Sequence, residues 1–170
     1  MNMTVVGLQD EFKQAMRRLA ATVAIVTSGE GDGWNGMAAT AVSSVTADPP
    51  TIMVAVNRSG SMSAVMLERQ QFCVNLLSQR HGHLVETFAG KTKGLARFDV
   101  GDWTASDEGL PVLSDALSSL ICVGVGMQQV GTHTVFFGEV TRVMNHRTID
   151  PLLWVDGCLA SISKVVGTVR

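Results

Sequence analysis

The sequence contains no tyrosine, only four prolines and three cysteines, and just 16% charged residues in a chain of 170. Each shortage closes off a possibility. Without tyrosine, no phenol is available to stack on a ligand or hydrogen-bond to it. Cys73, Cys122 and Cys158 are odd in number, widely spaced and form no CxxC, so reduced, buried thiols are the simplest account. Scarce charge leaves a surface poor in solubilising groups, which points to apolar surface covered by a second subunit. The net charge of −2 argues against a nucleic-acid partner, which would need a basic face. The apolar runs TVAIVTS, TIMVAV and LICVGVG are far shorter than the roughly 20 residues that cross a bilayer, so no membrane partner is expected. The opening MNMTVVGLQDEF has no basic segment followed by an apolar stretch, so no signal peptide is expected and the location expected is cytoplasmic.

What is present is apolar and well punctuated. Hydrophobic residues make up 46% of the chain, enough for one domain over 1–170 with its core in about 8–163. Leu8, Phe12, Ala15, Met16 and Leu19 recur at helical spacing and predict an amphipathic helix. Strands are predicted over 21–28 and 34–46, the second closed by Asp48-Pro49-Pro50, because proline cannot donate to a ladder. TIMVAV and FCVNLL read as further strands, with a helix between them for which Ser61 is the predicted N-cap. A helix ending at Gly90, an irregular polar stretch over 91–109, two long strands joined at Gly131 and a hairpin at Asp156-Gly157 complete the chain. Some eight strands with two or three helices suggest a small antiparallel barrel with helical covers.

The chain has no GxGxxG, Walker loop, HExxH, GxSxG or other familiar catalytic spacing. His81 and His83 read as a solvated helix surface, since no third metal ligand is near. An enzyme so poor in acid–base pairs would leave the hard chemistry to a bound cofactor. The stretch MAATAVSSVT fits that idea. From Ala38 to Ala47 no side chain exceeds valine, so a flat ring can lie against the strand while backbone amides and the hydroxyls of Thr40, Ser43 and Ser44 reach its polar edge. Downstream, NRSGS offers Asn57, Ser59, Gly60 and Ser61 ahead of a helix, an anion-compatible arrangement, and Lys91, Lys93 and Arg97 supply charge. Together they sketch a site for a planar ring with a phosphate tail. The plain alternative is that small-residue strands mark close packing between sheets or subunits.

These residues resemble the short-chain flavin reductase family, the reductase components of two-component flavin-dependent monooxygenases. The likeness runs in order through FKQAMRRLAATVAIVTS, GMAATAVSSVTADPPTIMVAVNRSGSM, FCVNLLS, FAGKT, RF, LPVL, VGTHTVFFGEV and PLLWV. The resemblance implies a homodimeric FMN-binding split β-barrel of mainly β, antiparallel class. It also implies reduction of FMN or FAD by NADH or NADPH and delivery of reduced flavin to a partner monooxygenase. By carry-over, Met37, Ala38, Ala39, Thr40, Ala41, Ser43 and Ser44 line the flavin ring. Asn57, Ser61 and Met62 then lie near the ribityl and phosphate, Phe88, Ala89 and Lys91 complete the pocket, and His133 lies beside the nicotinamide. The last hairpin departs from the pattern, offering Trp154 and Asp156 where relatives often carry an aromatic or basic residue. The alternative is a non-catalytic flavin-binding or electron-carrying split barrel that holds FMN tightly. A structural dimer without ligand is a third reading.

Overall fold

The protein was analysed as a computed structural model, which describes residues 7–163 and Gly167. Helix α1 (Leu8–Met16) leads into β1 (Ala21–Thr22), β2 (Ala24–Ser28), β3 (Asn35–Ala39), β4 (Val42–Ala47) and β5 (Pro50–Asn57). Helix α2 (Ser61–Arg69), β6 (Gln71–Leu76) and α3 (Gly82–Glu86) follow. The chain then forms a short hairpin of β7 (Trp103–Ala105) and β8 (Pro111–Leu113) and the long pair β9 (Ser118–Val130) and β10 (His133–Asn145). It closes with β11 (Leu152–Val155) and β12 (Cys158–Ser161). Seven strands make one sheet in the order β3-β2-β6-β9-β10-β5-β4, every neighbouring pair antiparallel. Small sheets β1-β11-β12 and β7-β8 flank it.

The predicted antiparallel barrel is therefore present, but the strand expected over 34–46 is two strands. It breaks at Thr40-Ala41, and β3 and β4 end up on opposite edges of the seven-stranded sheet. The chain thus steps from one edge to the other across the seam, where the Ala41 carbonyl still accepts the Ala55 N–H at 3.0 Å. The run 21–28 is likewise broken at Val23, with β1 leaving to pair with β11. Short side chains permit such turns without costing core, because no bulky group must be buried on either side.

Two cores hold this arrangement. Inside the barrel, Val26, Val54, Val56, Phe72, Val74 and Phe136 pack with Met62 and Met66 of α2, which plugs one end. Period-two alternation on β5 and β10 turns Ile52, Val54, Val56, Thr134, Phe136 and Gly138 inward. Gly138 is required there, since a Cβ would stand 2.9 Å from Cys122 Cβ and closer still to the Phe72 ring. The second core joins Val23, Ile25, Leu77, Leu84, Phe88 and Leu113 outside the barrel. Between them lies Asn75, fully buried, accepting from Leu113 N (3.0 Å) and Ser119 Oγ (2.8 Å) and donating to Ile25 O (3.2 Å). A buried amide so completely partnered fixes three elements at once.

Four local expectations are corrected. Gly60, not Ser61, is the N-cap of α2, and no side chain caps it. His81 is buried, its Nδ1 accepting the Ser78 N–H at 3.2 Å and its Nε2 lying 3.2 Å from Asp115 Oδ1. Partial burial pushes the Asp115 carboxyl up, but the hydrogen bond and charge of His81, with Arg80, more than offset this and leave it below the ordinary range. Cys158 is exposed, unlike Cys73 and Cys122. The stretch 91–109 is ordered by aromatic packing, with Phe98 5.2 Å from Trp34, 5.4 Å from Phe88 and 5.2 Å from Trp103, ring centre to ring centre.

Candidate functional site

The seam opens onto a groove of about 460 Å³. One wall is the α1–β1 connection, Leu19 to Thr22; the other runs from Thr40 to Ser43, and Met53, Ala55 and Val135 form the floor. The outward-facing phase of β5 and β10 sets that floor, and the same phase carries it on to Asn57 and His133, which are direct cross-strand partners. His133 is exposed, with Nδ1 2.9 Å from Thr132 Oγ1. Because β3 and β4 each have a single strand neighbour, half of their backbone N–H and C=O groups face no strand. The groove therefore combines short side chains in one wall with unspent backbone donors and acceptors alongside.

At the end of β5 the chain turns through Asn57, whose Oδ1 accepts from Ser59 N (3.0 Å) and Ser59 Oγ (2.9 Å), and enters α2. Ser61 Oγ donates to Asn35 Oδ1 at 3.4 Å, which ties the start of α2 to the edge strand β3. The same Asn35 oxygen accepts from Arg97 Nη1 at 2.9 Å, and Arg97 also donates to Gly36 O (2.6 Å) and Thr92 O (2.9 Å). Gly36 also admits the Phe88 ring against β3: a Cβ there would lie 2.8 Å from Phe88 Cε1. Three distant segments, 35–36, 59–61 and 92–97, thus meet at one rim.

The residues picked out in the sequence are distributed unevenly around this site. Thr40, Ala41 and Ser43 line the groove, and Ser44 follows on the exposed edge of β4. Met37 and Ala39 pack against the barrel core, and Ala38 packs against the second core. Met62 and Phe88 are buried at 2% and 3% exposure and pack into the two cores rather than facing the groove. Ala89 and Lys91 are exposed; Lys91 Nζ is 2.7 Å from Glu86 Oε2, and that hydrogen bond lowers the Glu86 pKa and raises that of Lys91. The sequence reading missed Asn35, Met53, Ala55 and Val135. The last three carried a signal, since they occupy the outward phase of strands whose inward phase is strongly apolar. Asn35 carried none, since nothing marks it out at the start of the strand predicted over 34–46.

The fold defines the class as an antiparallel barrel with a groove at its seam, lined in part by small side chains and rimmed by backbone groups and hydroxyls. Residues 16–163 match the model of the flavin reductase like domain, and the chain belongs to that family. It is 41% identical over 135 residues to the FMN reductase (NADH) RutF of Pantoea ananatis, an alignment covering 79% of this chain and 71% of that protein. It is 36% identical over 164 residues to the reductase component of the FADH(2)-dependent resorcinol hydroxylase of a Rhizobium species, covering 94% and 92%. Among solved structures, the flavin reductase PheA2 in its native state superposes with a TM-score of 0.83 at 30% identity, over 94% of this chain and 100% of that one.

Proposed function

We propose that this chain is an NAD(P)H:flavin oxidoreductase that reduces FMN or FAD, with NADH preferred, and supplies the reduced flavin to a separate monooxygenase. The groove at the seam carries the reading. The small side chains of Ala41 and Ser43 in its wall and Ala55 in its floor leave room for a flat tricycle, and its edge amides would meet a heterocycle's carbonyls and ring nitrogens. A bound flavin supplies the capacity to accept a hydride from a reduced nicotinamide. The protein's own contribution is orientation and polarity. Thr40 and Ser43 offer hydroxyls, and the unpaired N–H groups of the edge strands favour negative charge on the ring, as preorganised donors do in an oxyanion hole. Asn57 and Ser61 serve the polar tail, and His133 is placed to hydrogen-bond a carboxamide stacked over the groove. Met37, Ala38, Ala39, Ser44, Met62, Phe88, Ala89 and Lys91 complete the proposed surround.

Thr40, Ala41 and Ser43 are exposed, which suits a flavin that exchanges better than one held permanently. The family likeness and the apolar surface described below support a homodimer. Among the described residues no helix is long and apolar enough to cross a membrane. The three free cysteines fit a reducing, cytoplasmic compartment. The test is steady-state oxidation of NADH, and of NADPH, with added FMN or FAD. Flavin-dependent turnover is the expected outcome, and no rate above background would overturn the reading.

A further inference from the structure

Strand β6 begins only at Gln71, opposite Val123, so beyond that point β9 has β10 as its single strand neighbour. A register shift leaves Val125 without a cross-strand partner, and the last turn of α2 does not fill the gap. The result is a cavity of about 290 Å³ between α2 and residues 124–127. Its floor is the buried Met66, Phe72 and Phe136, and its rim the exposed Leu67, Val125 and Met127. Gln70 holds the mouth in shape: in left-handed backbone conformation at the end of α2, it accepts the Gly124 N–H on its carbonyl at 2.7 Å. Among the described residues of the lining, Gln70 has the one polar side chain and none carries a charge. This cavity lies on the inward phase of β10 and the groove on the outward phase, Phe136 facing the first and Val135 the second. The two stand back to back on one strand, so neither a ring in the groove nor a second copy on the outer face would occupy the inner cavity.

We propose that this cavity is a second ligand site, for a small uncharged aromatic molecule of one or two rings. An apolar cavity of about 150 Å³ already holds benzene, so the space here suits a ring or a fused pair. The wall selects the chemistry. Phe72 and Phe136 offer ring edges and faces, and Met66 and Met127 offer polarizable thioethers that favour aromatic partners. A charged ligand would lose its hydration and find no counter-charge in the lining. Gln70 supplies an amide at the rim for one hydroxyl or ring N–H. A bound ring would also cover Val125 and Met127, which otherwise stand 57% and 55% exposed. The site is independent of the flavin reading.

The test titrates the full chain, isotope-labelled at its methionine methyls, with indole, and with benzoate as the charged control. Ring currents report position, because Met66 and Met127 line the cavity while Met53 lies in the groove floor. Indole should shift the Met66 and Met127 signals saturably, with a dissociation constant of about 5 mM or tighter for a ligand of its size. Saturating FMN should change that constant by less than about twofold, and benzoate should bind at least about tenfold more weakly. Met127→Glu places a charge at the rim and Leu67→Trp fills it. Each should weaken indole at least about fivefold, while the melting curve and flavin-dependent NADH oxidation stay as in the wild type, since both positions are exposed. A weaker wild-type constant, shifts confined to Met53, displacement of indole by FMN, equal binding of benzoate, or variants that bind indole unchanged would each overturn the assignment and leave the reductase reading intact. A fall in oligomeric state in either variant would show a second copy seated on the cavity and would overturn it as well.

Discussion

At the scale of single residues, burial decides which reactive groups are available. Cys73 and Cys122 lie within the sheet, and burial pushes both thiols up, Cys122 to about 12. Neither presents thiolate near neutrality, so neither is a nucleophile. Cys158 sits on β12, the outer strand of the small sheet, and is exposed. Treatment of the native protein with iodoacetamide at pH 8 is therefore expected to add one carbamidomethyl group, located at Cys158. Intact-mass spectrometry should show a second adduct only after unfolding, and Cys158→Ser should abolish the first. A second adduct on folded protein would show the sheet opening around its buried thiols. The sequence could not separate these three cysteines, because each stands in an apolar run of similar composition; their exposure follows from which sheet edge each strand occupies.

At the scale of elements, the informative feature is the break between β3 and β4. The long strands β9 and β10, the Asp156-Gly157 hairpin and the stop at Pro49-Pro50 were legible, because alternation, turn residues and proline act locally. The lack of bulk over 38–47 was legible too, and the ring it would carry is the reading proposed above. What was not legible is that its two halves belong to opposite sheet edges, since that depends on the strand order of the whole sheet. Nor could the sequence show that Met62 and Phe88 turn inward, or that Asn35, Ser61 and Arg97 converge, as these contacts join positions up to 62 residues apart. The groove reading can be tested on β4's approach alone. Ala41 meets β5 through its carbonyl, so Ala41→Phe keeps the hydrogen bond to Ala55 while placing a ring in the groove. FMN affinity should fall at least tenfold, about the scale of one lost contact surface. The melting temperature should move by no more than about 2 °C, because the site is exposed. Unchanged FMN affinity would place the ligand elsewhere.

At the scale of the molecule, α1 has an apolar stripe that none of the described residues buries. None of its residues is buried; Leu8 is 81%, Phe12 61% and Leu19, just past its end, 62% exposed. A helix of nine residues is too short to persist in water on its own propensity, which needs roughly 12–15 residues even in favourable sequences. Just past its end the segment is tied to Asp156, whose N–H donates to Arg17 O at 2.7 Å, while Arg17 donates through Nη2 to Asp156 O at 3.0 Å and through Nε to Asp156 Oδ1 at 2.9 Å, an exposed ion pair worth at most about 1 kcal/mol. The outer sheet face adds Met53 and Val130, both exposed. In a chain with so little charge, the homodimer proposed above would account for both surfaces: the stripe of α1 would gain a seat, and the groove wall at Leu19 to Thr22, which continues from α1, would gain rigidity. If so, assembly and flavin binding are linked, and breaking the first should weaken the second. Leu8→Glu with Phe12→Glu buries no charge within one chain, so the barrel core and its circular dichroism should be retained. Light scattering should then read about 18 kDa in place of twice that mass, and FMN affinity should drop because the wall loses its support. A wild type that already scatters as a monomer, or a double variant that stays dimeric, would remove α1 from the interface.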